Sequence, residues 1–240
     1  MSVVISGATG GIGLSIVRKY ASQGYDLILL GRDKDKLDKL CIKTQSNYNI
    51  TVKYFICDMK NESTIHSSIK KISKLSEDVI LLINIAGIFP YGLISESTEE
   101  QYDNCMNVNM KLPYLLSLGL FDKIKKGSGG KIINIGSSSA YSGFKNTVIY
   151  CASKHALLGF SRALNDEWKD YGVSVHCISP GTIDTEMASV LEQDKNTYIK
   201  TEEFAELVYD VSTYNGNMLV EEVRAVRRCI RWVRFTICFQ

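Results

Sequence analysis

The chain has 240 residues, 45% hydrophobic and 22% charged, with a formal net charge of +2. This balance is ordinary for a folded globular protein and gives no ground for a nucleic-acid-binding face. Seven cysteines, an odd number with no Cys-x-x-Cys pair, argue against a disulfide framework and for reduced thiols in a cytoplasmic protein. Residues 1–7 have neither a basic start nor a long apolar run, so neither a signal peptide nor a membrane anchor is expected.

In chain order, short apolar runs alternate with stretches of helical spacing. Residues 3–6 form an apolar run that ends in glycines, and 12–23 have helical spacing. A strand is predicted at 26–30, a polar helix at 34–45, an alternating strand at 51–57, a helix at 63–75 and an apolar strand at 79–84. The pattern then repeats. One or two helices at 98–126 are broken near Leu112-Pro113, followed by a strand at 131–137, a long helix at 148–171 and a strand at 173–178. After a polar stretch at 186–200 comes a helix at 201–212. Continuous apolar strands alternating with helices predict an α/β fold. It is a single doubly wound domain with a mostly parallel sheet flanked by helices on both faces, and sites lie at the carboxyl ends of the strands.

Between the first strand and first helix lies Ser6-Gly7-Ala8-Thr9-Gly10-Gly11-Ile12-Gly13. Glycines there permit positive φ and close approach of the backbone to a pyrophosphate, while the helix offers free N–H groups and partial positive charge. The spacing, glycines at 7, 11 and 13, is the form found in the short-chain dehydrogenase/reductase family.

The resemblance to that family continues to about residue 212. Cys57-Asp58 follows the third strand, where the family places an adenine-contacting Asp. Asn84-Ile85-Ala86-Gly87 resembles the family's Asn-Asn-Ala-Gly, with Ile in place of the second Asn. Asn109 falls at the position of the family's structural and catalytic Asn. Tyr150-Cys151-Ala152-Ser153-Lys154 matches Tyr-x-x-x-Lys, and Pro180-Gly181-Thr182-Ile183-Asp184-Thr185 resembles the Pro-Gly cofactor loop. The family's catalytic Ser commonly lies 13 residues before the Tyr, which selects Ser137 ahead of Ser138.

The resemblance implies an NAD(P)-dependent oxidoreductase with Asn109, Ser137, Tyr150 and Lys154 as catalytic residues. The cofactor would be held by Gly7, Thr9, Gly10, Gly11, Ile12, Gly13, Arg32 and Asp58, together with Asn84, Ala86, Gly87, Tyr150, Lys154, Pro180, Gly181, Ile183 and Thr185. Tyr150 and Lys154, four apart, share a helix face. A free phenol titrates near pH ~10, and a neighbouring ammonium is expected to lower that value, so that Tyr150 exchanges a proton with the substrate oxygen. Ser137 would hydrogen-bond the same oxygen. By resemblance, Lys154 would also hold the ribose hydroxyls, and Asn109 a water leading to solvent.

The second strand ends Gly31-Arg32-Asp33. An NAD site usually has an acid at the strand end. Gly31 stands there, Arg32 can pair with a 2′-phosphate, and Asp33 reads as a helix N-cap. NADP is therefore expected, with NAD as the alternative should Asp33 be the ribose ligand. The expected substrate is a small carbonyl compound or secondary alcohol, the family's range including 3-oxoacyl carrier-protein reductases and sugar or polyol dehydrogenases. An NADP-binding regulator without turnover is the non-enzyme alternative. Tyr91, Tyr141 and Phe144 are candidate pocket residues. No His lies at metal-ligand spacing, so no metal is expected.

The catalytic domain is expected at 1–222 and a basic tail at 223–240. No acidic residue follows Glu222, whereas Arg224, Arg227, Arg228, Arg231 and Arg234 do. Leu219–Arg224 could still supply a last strand. Val223, Val226, Ile230, Val233 and Ile237 step as a helical stripe, readable as an amphipathic surface helix, an oligomer-facing or disordered end, or sequence foreign to the gene. A membrane role is not favoured, and the family resemblance implies a homodimer or homotetramer.

Overall fold

The computed structural model describes residues 2–58, 61–125, 129–191, 193–216 and 218–227. Strands β1 (Ser2–Ser6), β2 (Asp26–Gly31), β3 (Val52–Ile56), β4 (Val79–Asn84), β5 (Lys131–Ile135), β6 (Ser174–Pro180) and β7 (Glu222–Ala225) form one seven-stranded sheet in the order β3-β2-β1-β4-β5-β6-β7. Every neighbouring pair is parallel. Between them run α1 (Gly11–Ser22), α2 (Lys34–Asn47), α3 (Glu62–Ser73), α4 (Glu99–Met106), α5 (Leu112–Ile124), α6 (Val148–Trp168) and α7 (Thr201–Thr213).

Alternate strand residues serve opposite faces. Val3, Ile5 and Leu29 pack with Ile16, Tyr20, Phe204 and Val208 of α1 and α7. Val4, Leu30 and Leu82 pack with Ile65, Leu116 and Trp168 of α3, α5 and α6. Because both faces are covered, the strands read as continuous apolar runs rather than alternating ones. The chain order turns back between β1 and β4, which opens a crevice beyond their carboxyl ends.

Two boundaries differ from expectation. The predicted helix break near Leu112-Pro113 is a widened π turn over Asn107–Lys111 that joins α4 to α5. Pro113 has no N–H for a carbonyl four residues back, and the widening accommodates that loss without ending the helix. The last strand straddles the expected 222/223 division, with Val223 and Arg224 inside it. The helical stripe therefore does not begin at Val223. Its members Ile230, Val233 and Ile237 lie outside the described residues.

β7 is bound by the ladder to β6 and by Cys177 N–H to Glu221 O (2.9 Å) and Gly181 N–H to Ala225 O (2.7 Å). His176, buried in β6, contacts Val220 O at 2.5 Å through Nδ1. A chain ended at residue 221 keeps the acceptors at Val220 and Glu221 but loses the ladder of 222–225 and the bond to Ala225 O, so it should be less stable than one ended at 227, by roughly 3 kcal/mol at about 1 kcal/mol per ladder hydrogen bond. Urea midpoints of the two truncations check this, and equal midpoints would show that β7 contributes nothing.

Candidate active site

The turn after β1 is shaped by approaches that leave no room for side chains. Gly7 has φ +69°, and a Cβ there would lie 2.8 Å from Ala86 N. At Gly13 a Cβ would lie 2.2 Å from Gly7 O, and at Gly11 2.9 Å from Thr185 Cγ2. Gly10 is the extended N-cap of α1 with no side-chain cap, so no side chain competes for the first N–H groups of that helix. The Ser6 hydroxyl accepts from Ile85 N (3.1 Å) and Ala86 N (3.4 Å), tying the ends of β1 and β4 together.

A cavity of about 500 Å³ opens at the same edge of the sheet. Its walls bring together Ile12, Gly87, Ser137, Tyr150 and Lys154 from widely separated elements. The loop after β6 adds Pro180, Gly181, Ile183 and Thr185. Arg32 and Asp58, just past β2 and β3, do not line it. Arg32 is exposed, and Asp58 is half-buried, its backbone bonded to Thr64 (N–H to Oγ1, 2.9 Å). Asp33 caps α2, its Oδ1 accepting from Lys36 N at 3.0 Å.

Tyr150 is half-buried and lies edge-on to Phe89, with ring centroids 4.7 Å apart. Burial pushes its phenol up to about 12, partly opposed by the Ser137 hydroxyl. Lys154 is buried, 5.8 Å from the Tyr150 ring centroid, and donates to Ile135 O at 2.8 Å. Burial lowers its ammonium to about 8. The expected lowering of the Tyr150 pKa by Lys154 is thus reversed in the protein alone. Desolvation acts on both groups and favours the neutral form of each. Ser137 Oγ also accepts from Ser139 N at 3.1 Å.

Asn109 is fully buried in the π turn. Its Oδ1 accepts from Ile88 N (2.8 Å) and its Nδ2 donates to Ile88 O (3.0 Å) and Ser153 Oγ (3.0 Å). It therefore fixes the chain after Gly87, beside which Asn109 Oδ1 and Lys154 Nζ both approach. Asn84 donates to Asn134 Oδ1 at 2.8 Å, and Asn134 in turn to Ser161 Oγ at 2.9 Å, joining β4 and β5 to α6. The Asn84 Oδ1 is buried with no partner among the described residues.

Tyr91 and Phe144 line the cavity as expected, whereas Tyr141 does not. Its hydroxyl donates to Glu222 at 2.8 Å, with Arg224 over its ring. Phe89, Val226 and Arg227 are wall residues that sequence reasoning misses. Phe89 follows the Ala86-Gly87 motif by two residues and is detectable from it, but the two others fall in the segment expected to be a tail. Among the described residues no cluster of three or more His, Cys, Asp or Glu could hold a metal, and no helix is long and apolar enough to cross a membrane.

A family model described as short chain dehydrogenase matches residues 1–196. An uncharacterized oxidoreductase of Thermotoga maritima is 33% identical over 186 residues, covering 77% of this chain and 72% of its own. A 3-oxoacyl-[acyl-carrier-protein] reductase of Rickettsia felis is 32% identical over 196 residues, covering 82% and 78%. Among solved structures, an alcohol dehydrogenase from Thermococcus sibiricus complexed with 5-hydroxy-NADP superposes with a TM-score of 0.86 at 26% identity, covering 94% of this chain and 95% of that one.

The glycine turn and the buried lysine each give a measurable outcome. Gly13→Ala should be destabilised by more than about 2 kcal/mol, since its new methyl meets backbone that cannot yield. Gly10→Ala, whose Cβ has nothing nearer than Gly7 O at 3.5 Å, should lose about 1 kcal/mol or less. Denaturant titration of the pair reads the difference, and equal losses would remove the steric account. For Lys154, the folded pKa of about 8 lies below the ordinary 10.5, so the unfolded chain binds more protons between those values. The contribution of this residue to stability therefore rises with pH from 8 to 10.5. Lys154→Met should lack that rise, so its stability advantage near neutral pH should shrink as the solution is made alkaline. Parallel pH profiles of the two proteins would contradict this.

Proposed function

The chain belongs to the short-chain dehydrogenase family, and from that premise we propose that it is an NADP(H)-preferring oxidoreductase interconverting a carbonyl and a secondary alcohol, with Tyr150 as general acid and base. The observation that carries this reading is the convergence of Tyr150, Ser137 and Lys154 on one cavity beside a glycine cradle that a Cβ would fill.

The residues fit a dinucleotide. Gly7, Thr9, Gly10, Gly11, Ile12 and Gly13 present backbone and a helix N-terminus to a pyrophosphate. Asp58, Asn84, Ala86 and Gly87 are the proposed contacts along the adenosine side and the strand ends, and Pro180, Gly181, Ile183 and Thr185 those at the nicotinamide end. When bound, the nicotinamide supplies or takes the hydride. The protein's own groups manage the proton and the oxygen. Tyr150, a neutral phenol at pH 7 as any tyrosine is and held further from ionisation by burial, is in the form that donates to a carbonyl oxygen during reduction. Ser137 donates a hydrogen bond to the same oxygen as charge develops on it. Lys154 holds the ribose hydroxyls and, while protonated, opposes the burial penalty on a Tyr150 phenolate. Asn109 keeps the Ile88 segment in place behind Lys154.

NADP preference is supported by the exposed Arg32, by Gly31 at the strand end and by the engagement of Asp33 as a cap. The Thermococcus sibiricus alcohol dehydrogenase, complexed with an NADP derivative, agrees with it. A small-molecule substrate, a homodimer or homotetramer and a cytoplasmic location rest on the family relationship. The Rickettsia felis relative favours 3-oxoacyl-carrier-protein reduction as a second reading. A regulator without turnover would have no use for the Tyr150, Ser137 and Lys154 arrangement.

Tyr150→Phe should lower turnover about 10²- to 10⁴-fold, the usual worth of a positioned acid–base group, and leave NADPH affinity within a few-fold. Fluorescence titration alongside steady-state rates checks both. In the same titration NADPH should bind more tightly than NADH, and Arg32→Gln should narrow the gap. Full activity in Tyr150→Phe would sink the mechanism, and tighter NADH binding would move the ribose contact to Asp33.

A further inference from the structure

The charged side chains that line the cavity, among the described residues, are Lys145, Lys154 and Arg227. All three are cations. Lys154 is turned to Ile135 O and belongs to the chemistry above. Lys145 comes from the loop before α6, and Arg227 from the residues just after β7, so two separate elements deliver positive charge to one cavity. Glu192, between the lining residues Leu191 and Gln193, lies outside the described residues.

Arg227 differs from the other arginines of this region. Arg162 is paired with Glu222, and Arg224 lies over the Tyr141 ring, 4.2 Å from its centroid. Arg227 is half-buried, and its Nη1 donates to the neutral hydroxyl of Thr197 at 3.1 Å, with no carboxylate partner among the described residues. A half-buried guanidinium held by a neutral acceptor keeps donors and charge available for an anion. The uncharged wall mixes hydroxyl and amide groups, Ser138, Thr182 and Gln193 among them, with an apolar part formed by Phe89, Phe144, Met187 and Leu191. Charge of one sign between low-dielectric walls focuses the field on an incoming substrate.

We propose that the substrate is an oxo acid or hydroxy acid, its carboxylate held by Arg227 with help from Lys145, and its apolar middle lying against Phe89, Phe144 and Met187 while the reacting carbon faces Tyr150. This rests on the oxidoreductase reading for the reacting end, but the anion site itself stands on the cationic wall alone. Arg227 is thus a specificity-determining residue supplied by the segment that follows the last strand.

The test compares acids with their own methyl esters, using 4-acetylbenzoate and 4-oxopentanoate, each with NADPH. For the wild-type protein at low salt, kcat/KM should favour the acid over its ester by about ten- to hundredfold, the worth of a hydrogen bond to a charged group. The preference should reside in KM and fall with added NaCl. Arg227→Gln should bring the acid-to-ester ratio near one, and Arg227→Lys should restore part of it. Binding is read separately from turnover: 4-acetylbenzoate should raise the thermal midpoint of the NADPH-loaded protein where its methyl ester does not, and Arg227→Gln should abolish that difference. Loss of NADPH affinity in Arg227→Gln would instead make this residue a cofactor ligand and overturn the proposal, as would a wild-type ratio near one. Acid-selective stabilisation without turnover of any probe supports the anion site and counts against the reductase reading. Equal turnover of acids and esters does the reverse.

Discussion

The constraint on which the proposed site depends lies where the sheet divides. β1 and β4 are neighbours, yet the chain leaves them in opposite directions, and the backbone of Gly7 passes so near Ala86 that a Cβ on Gly7 would sit 2.8 Å from the Ala86 nitrogen. Ser6 holds the same two strand ends together through its hydroxyl. With that approach in place, α1 starts directly over the crevice, Gly13 can tuck under Gly7, and Thr185 can reach Gly11 from the far side. Larger side chains at these points would push the turn away from β4 and separate the glycine cradle from Gly87, Asn109 and Lys154. The cofactor end and the chemical end of the proposed site therefore depend on one backbone contact.

At the chemical end, burial competes with charge. Desolvation raises the Tyr150 phenol and lowers the Lys154 ammonium, so the protein alone favours a neutral pair. Local groups act against burial at both: the Ser137 hydroxyl for Tyr150, and Cys177 and Cys105 for Lys154, whose ammonium also donates to Ile135 O. A site poised in this way responds strongly to any further charge placed in it, because the same low dielectric that penalises an isolated ion strengthens its attraction to a counter-charge. Asn109 contributes by rigidity. Its amide is spent on both backbone groups of Ile88, which fixes the segment carrying Gly87 and leaves the π turn around it no slack.

What is legible in the sequence follows from local chemistry. The alternation of strands and helices, the glycine turn and the Asp33 cap each have a cause within a few residues, and each appears in the structure as expected. Ser137 and Ser138 both line the cavity, and the spacing from Tyr150 is the ground on which Ser137 is proposed. The departures share a different origin. A last strand is offered by the sequence at Leu219–Arg224, but β7 is confined to Glu222-Val223-Arg224-Ala225, bounds that the open edge of β6 sets and that no periodicity within four residues can announce. With 223–240 expected as a tail, nothing in the sequence points to Arg227 as a wall of the cavity. The Tyr141 ring suggests a pocket residue, but Glu222 draws its hydroxyl away. The direction of the Tyr150 shift is hidden for a similar reason: spacing on a helix reveals a neighbouring charge and conceals the burial that outweighs it.

The choice between nicotinamide cofactors turns on the same contest between local and distant demands. Asp33 has the charge of a ribose ligand, yet its Oδ1 is bound to Lys36 N at the start of α2 and its Oδ2 lies 3.7 Å from Lys36 Nζ. The Lys36 amide holds this carboxyl below the usual carboxylate range. Turning it toward a ribose would uncap the helix before any new contact formed, leaving an N–H of the first turn without its acceptor. Arg32 carries no such obligation: it is exposed, and the buried Gly31 beside it presents no carboxylate to repel a phosphate. The helix that follows β2 thus occupies the acid that NAD would need and leaves the guanidinium that NADP would use, which is why a single capping bond supports the proposed preference more firmly than the identity of either residue.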